Sequence, residues 1–82
     1  MAKCVLCEIY DEVAGQYSAP MAFANEASAI RYVKIKSNDP IIKDLKMYKT
    51  AEFDSETGKI LVLDEPQLLI RGDQLTNEQT NA

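Results

Sequence analysis

The sequence predicts an α+β domain: a small antiparallel sheet of about four strands with one helix packed on one face, in the order ββαββ. Three observations predict it. Apolar, β-branched or alternating runs stand in "AKCVLCEIYD", "LKMYKTAEFD" and "ILVLD". Turn-forming clusters, "DEVAGQ" and "SETGK", follow the first and the third strand. Between the two halves one stretch, Asn25 to Ser37, has the cap chemistry and spacing of a helix.

The chain's 82 residues suit a single domain with one modest core, because a chain this short buries only ~60% of the surface its unfolded form exposes. At 46% apolar and 27% charged the composition is that of a globular protein, too apolar for disorder throughout. No run approaches the roughly 20 apolar residues that span a bilayer, and no basic segment leads into an apolar stretch and cleavage site. A cytosolic protein that is neither secreted nor membrane-bound is expected. Residues 1–71 form the expected domain, and from Gly72 on "GDQLTNEQTNA" is too polar to pack, so a mobile tail is expected over residues 72–82.

Each element follows from local chemistry. "AKCVLCEIYD" reads as the first strand, and a second extended segment follows in "YSAPMAFA". Pro20 has no N–H for a ladder, so that segment either lies at an edge or bends there. Asn25 is the N-cap of the helix, and Glu26 in the first turn complements the dipole. Ala29, Ile30 and Val33 share the face that meets the sheet, leaving Arg31 and Lys34 to solvent. "RYVKIK" alone also alternates as a strand would, with Val33 and Ile35 inward, but the cap and upstream alanines favour helix. "SNDP" ends it, because the residue before Pro40 is pushed out of the α region.

In "LKMYKTAEFD" strict alternation puts Leu45, Met47, Ala51 and Phe53 on one face and Lys46, Tyr48, Thr50 and Glu52 on the other, with Lys49 breaking the apolar set. "SETGK", with Gly58 available for positive φ, returns the chain as "ILVLD", a second hairpin from Leu45 to Asp64, and "PQLLI" is a short apolar coda. A sheet this small has open edges, so pairing of two chains into a homodimer is one expectation.

Chemistry-bearing constellations are few. Cys4 and Cys7 form a lone CxxC in a chain with no histidine and no third cysteine, too few ligands for a tetrahedral zinc site. Residues three apart on a strand point to opposite faces, and no helix N-terminus lies there to lower a thiol pKa. Both cysteines read as reduced, one of them a small core residue. The acids of "EFDSETGKILVLDE" lack the spacing of a calcium loop, and Gly15, Gly58 and Gly72 stand too far apart for a phosphate cradle. Neither a catalytic group nor a cofactor nor a metal is predicted.

Charge is uneven along a chain of net charge −4. Residues 1–30 hold one lysine against four acids, residues 31–49 hold six basic residues against Asp39 and Asp44, and residues 50–82 hold two against seven. A basic stretch interleaved with tyrosines suits single-stranded nucleic acid, with cations for phosphates and rings for bases. The candidate DNA-binding residues are Arg31, Lys34, Lys36, Lys43, Lys46 and Lys49, with Tyr32 and Tyr48 for stacking. The overall acidity, pI ≈ 4.6, opposes a polyanion.

"IYDEVAGQYSAPMAF", "ASAIRYV", "NDP" and "YKTAEFDSETGKI" together resemble the small nonstructural protein family of gokushoviruses, the microvirus branch of single-stranded DNA phages. The resemblance runs over about residues 8 to 68 and lies in Tyr10-Asp11, Tyr17 with Pro20, Ala29 to Tyr32, Asn38-Asp39, and Phe53-Asp54 before Thr57-Gly58. It departs at Ala51, often Gly in the family, and in the compact "DPIIKDLKMY". The resemblance implies a non-capsid DNA-binding or replication accessory protein in the host bacterial cytoplasm, with a role in single-strand synthesis and packaging. Its partners would be single-stranded DNA and phage or host replication proteins, and it implies no catalytic residues. The alternative is a protein-interaction module that acts on a phage or host protein through a sheet edge or the acidic surface around Asp54, Glu56, Asp64 and Glu65, with no nucleic acid.

Overall fold

In the computed structural model, which describes residues 3–75, the chain runs β1 (Lys3–Asp11), β2 (Gln16–Tyr17), β3 (Met21–Phe23), α1 (Glu26–Ile35), a 3-10 helix (Pro40–Asp44), β4 (Leu45–Asp54) and β5 (Ile60–Arg71). The five strands make one antiparallel sheet in the order β2-β1-β4-β5, with β3 also on β1. The α+β class and single main helix agree with the sequence, but the strand count and the ββαββ order need correction. "YSAPMAFA" is two strands, because Pro20 cannot donate to the ladder. Ser18 holds the break: its N–H donates to Ile9 O at 2.8 Å and its Oγ accepts from Ile9 N at 2.9 Å.

The two hairpin turns share one construction. In the first, Asp11 Oδ1 accepts from Val13 N at 2.9 Å, Gly15 N donates to Asp11 O at 2.8 Å, and Gly15 has φ +68°. In the second, Asp54 Oδ1 accepts from Glu56 N at 2.9 Å, Gly58 N donates to Asp54 O at 2.8 Å, and Gly58 has φ +76°. An Asp that caps its own turn and a Gly four residues later that takes the left-handed conformation thus recur in "DEVAG" and "DSETG".

Asn25 caps α1 as expected, its Oδ1 accepting from Ser28 N at 2.8 Å. The helix stops at Ile35, two residues short of expectation, as Lys36 N bonds Val33 O at 3.0 Å and tightens the last turn. Asp39 is extended before Pro40, and its Oδ1 accepts from Ile41 N at 3.1 Å to cap the 3-10 helix. That turn buries Ile42 beneath the sheet's lower end. The core gathers Val5, Cys7, Ala29, Val33, Ile42, Met47, Ile70 and Leu75 between α1 and one sheet face, each large side chain contributing about 1.5–3 kcal/mol.

β4 departs from strict alternation. Cys7 pairs with Lys49 and Leu6 with Ala51, so Thr50 is an extra residue in a β-bulge. Its hydroxyl lies 3.3 Å from both Leu6 O and a Glu8 carboxylate oxygen. One inserted residue reverses every face beyond it. Leu45, Met47, Lys49 and Glu52 therefore face the helix, whereas Lys46, Tyr48, Ala51 and Phe53 share the opposite face, which corrects the alternation expected from the sequence. The coda "PQLLI" belongs to β5, which itself bulges at Leu69 and again across Leu63–Pro66, the residues that stand against Thr50.

The expected tail begins as structure. Residues 72–75 form a helical turn and Leu75 is buried in the core, while residues 76–82 lie outside the described residues. Gly72 lies against the 3-10 helix: a Cβ there would run into the carbonyl of Ile42 and sit 3.0 Å from Leu45 O. Gly72→Ala is therefore expected to destabilise by about 3 kcal/mol or more in urea unfolding. Gly58→Ala meets no atom within 4 Å and is expected to lose only about 1 kcal/mol, through its positive φ.

Candidate functional site

The helix covers one face of the sheet and leaves the other open. Alternation along β1 puts Cys4, Leu6, Glu8 and Tyr10 on the open face, and the pairings carry it outward: Tyr17 stands opposite Tyr10, Lys46 opposite Tyr10 and Arg71, and Tyr48 opposite Glu8 and Leu68. Three tyrosines meet there. The rings of Tyr10 and Tyr17 lie 4.7 Å apart at 52°, and those of Tyr17 and Tyr48 lie 6.0 Å apart at 62°, tilted and edge-on contacts that aromatic quadrupoles favour. Tyr17, on the short outer strand, is half exposed.

Lys46 and Arg71 flank this cluster, each with a carboxylate partner. Lys46 Nζ is 3.1 Å from Glu12 and an Arg71 amino group 2.8 Å from Asp73. Both pairs are exposed enough to be exchanged for another anion at little cost.

The remaining sequence candidates lie elsewhere. Arg31 and Lys34 are exposed on α1, across the sheet from Tyr48. Tyr32 packs on Phe23 at 5.5 Å, with Lys36 Nζ 4.8 Å above its ring, so that ring is half-buried on the helix side. Lys43 is exposed on the 3-10 helix. Of the candidates, Lys46 and Tyr48 come together on the open face, and Lys36 and Tyr32 meet on the helix side. Tyr10, Tyr17 and Arg71 complete the open-face group, and sequence reasoning missed them. A signal existed for the tyrosines: the turn in "DEVAGQ" sets Asp11 opposite Gln16, which puts Tyr10 opposite Tyr17.

Lys49 points the other way. Its side chain is 9% exposed beneath α1, with Nζ 3.0 Å from Glu26 and 2.9 Å from Glu52. The Glu52 and Glu26 hydrogen bonds raise the Lys49 pKa, outweighing desolvation, and the Lys49 hydrogen bond lowers that of Glu52. The cation that interrupts the apolar pattern of β4 is thus tied to the helix N-terminus and to the residues beyond the bulge. Cys7, fully buried beside it, is held above the usual thiol range by burial, and Cys4 is half-buried on the opposite face.

Among the described residues no group of three or more potential ligands converges on a metal position, and no helix is long and apolar enough to cross a membrane.

A family model described as Phage ORF5 protein matches residues 4–75. The chain belongs to the Phage ORF5 family. It is therefore a phage protein, and the family region coincides with the folded part just described, from Cys4 in β1 to the buried Leu75. No curated protein and no solved structure matches the chain. Every residue of the tyrosine cluster and its two flanking cations lies inside the Phage ORF5 region.

Two measurements test this geometry. Glu52→Gln is expected to lower Tm near neutral pH. The contribution of Glu52 is present above about pH 4.3 and fades as pH falls through its lowered pKa; that of Lys49 is present below about pH 10.4 and fades as pH rises through its raised one. The gap between the wild type and Glu52→Gln should therefore narrow at both ends of a Tm-against-pH series; a constant gap would contradict the ion pair. A thiol reagent should label Cys4 in the native protein and Cys7 only after unfolding, at matched pH, as mass spectrometry of the labelled peptides would read.

Proposed function

We propose that this Phage ORF5 protein is a single-stranded DNA-binding or replication and packaging accessory protein of a gokushovirus (Microviridae), which works in the host bacterial cytoplasm without enzyme activity. The observation that carries the reading is the cluster of Tyr10, Tyr17 and Tyr48 on the sheet face that the helix leaves open, with Lys46 and Arg71 at its border. Splayed bases stack on such rings at ~1–3 kcal/mol each, irrespective of sequence, and cations at the border take the phosphates. Single strands fit better than duplex, because a stack needs a base face that pairing and helical stacking hide.

The division of the basic residues refines the reading. With Lys49 engaged inside and Arg31 and Lys34 across the sheet, Lys46 and Arg71 bring two phosphates within reach of the open face. The affinity should then fall with salt at a log–log slope of about −1.4, at ~0.7 per phosphate. That is shallower than six convergent cations would give. The absence of histidine from the chain supports a binding role over acid–base catalysis.

The protein-interaction alternative draws on a separate surface, the β5 edge, where Ile60, Leu61 and Val62 are exposed beside Asp64 and Glu65. An anisotropy titration of labelled single-stranded DNA at low salt separates the two. Binding at micromolar protein is expected, weakened about tenfold or more by Tyr17→Ala with Tyr48→Ala and also by Lys46→Glu, while Lys34→Glu leaves it nearly unchanged. No anisotropy change, or equal sensitivity to Lys34→Glu and Lys46→Glu, removes the open face as a DNA site.

A further inference from the structure

Among the described residues β5 ends the sheet, and its first residues are apolar on both sides: Ile60 is 57% exposed, Leu61 65% and Val62 70%. An edge strand with such residues and unpaired amides is a template for another strand. Its hydrogen-bonding direction follows from the hairpin. Asp54 N donates to Lys59 O at 2.9 Å, so Lys59 and Leu61 aim their backbone groups at β4, and by alternation those of Ile60 and Val62 point outward.

We infer that a second copy of this chain pairs antiparallel with that edge, centred on Val62. The usable window is bounded by the turn at Gly58, with φ +76°, and by Pro66, which has no N–H to donate. The midpoint of Lys59 to Glu65 is Val62. Two copies related by a two-fold axis perpendicular to a continuous sheet pair with one residue facing its own counterpart. With Val62 on the axis, each Val62 exchanges two backbone hydrogen bonds with the other, Leu61 faces Leu63 of the second copy, and Lys59 faces Glu65.

Charge selects this register. Shifting the axis to Leu61 sets Lys59 against Leu63 and leaves Glu65 outside the pairing, whereas the Val62 register closes the apolar centre with an opposite-charge pair at each end. The bulge across Leu63–Pro66 takes that part of β5 away from β4, which leaves it available to the second copy. The product is a sheet continuous through both copies, with the two tyrosine clusters on the same face, since the axis runs perpendicular to the sheet. An interface built on one strand edge is small, and its association is correspondingly weak.

Sedimentation equilibrium without DNA tests the pairing independently of the DNA reading. The average mass should climb with concentration from 9.2 kDa toward twice that value. Val62→Lys, at an exposed position that leaves the fold intact by circular dichroism, should hold the protein monomeric. Lys59→Glu and Glu65→Lys should each weaken association about tenfold, and the double exchange should restore it. A mass that stays at 9.2 kDa up to about millimolar protein overturns the proposal. So does a dimer that survives Val62→Lys, or a double exchange that restores nothing.

Discussion

The pairing of β1 with β4, interrupted at Thr50, decides where nearly every other side chain goes. The ladder joins Lys3 to Asp54 at one end and Asp11 to Leu45 at the other, and β1 also carries both short outer strands. Because side chains alternate with period two, one extra residue exchanges core and open faces for everything beyond it. Met47 and Lys49 lie on the helix side before the bulge, and Glu52 lies on that side after it. That is how Lys49 finds two carboxylates, one from α1 and one from its own strand. Thr50 is suited to the position, since its hydroxyl reaches both Leu6 O and Glu8 where the ladder is open.

The lower end of the sheet is closed by a different device. The 3-10 helix brings Ile42 under the core, and Gly72 lets the end of β5 approach the Ile42 carbonyl closely enough to admit no Cβ. Leu75 then enters the core directly after that contact. Among the described residues the other end carries no such cover: the β4–β5 hairpin continues past the helix, and Leu61 stays exposed although it faces the helix side. A longest dimension of 44 Å is close to the reach of a strand as long as β5 at about 3.3 Å per residue. One end of the sheet is packed under the helix and the 3-10 turn, and the other is the three-stranded end of β1, β4 and β5, where Lys3 and Cys4 pair with Asp54 and Phe53, which in turn pairs with Ile60.

These two ends separate the surfaces available for recognition. The tyrosine cluster lies where β2, β1 and β4 overlap, backed by the core and therefore rigid, which suits a platform for flat ligands. The outer edge of β5 offers backbone groups and aliphatic side chains instead, which suits strand addition. Neither surface uses the basic segment as a unit. A run of cations in the sequence is spread over a helix, a 3-10 turn and both faces of a strand, so the field it creates is diffuse and the pI near 4.6 prevails at long range.

Local chemistry in the sequence determined most of the elements. Asn25 and Pro40 bounded the helix, Asp and Gly built both hairpin turns, Pro20 broke the outer strand, and alternation marked β1 and the first half of β4. Of the candidate site, Lys46 and Tyr48 were legible because both lie before the bulge, where strict alternation still holds. What only the tertiary structure decided was phase and pairing. No local signal announces that Thr50 is inserted, since a bulge is defined by the partner strand that skips a residue. Hence the interior position of Lys49, the meeting of Tyr10, Tyr17 and Tyr48, and the approach of Gly72 to Ile42 all depend on contacts between residues far apart in the chain. Spacing along one strand cannot specify which residue of another strand will stand beside it.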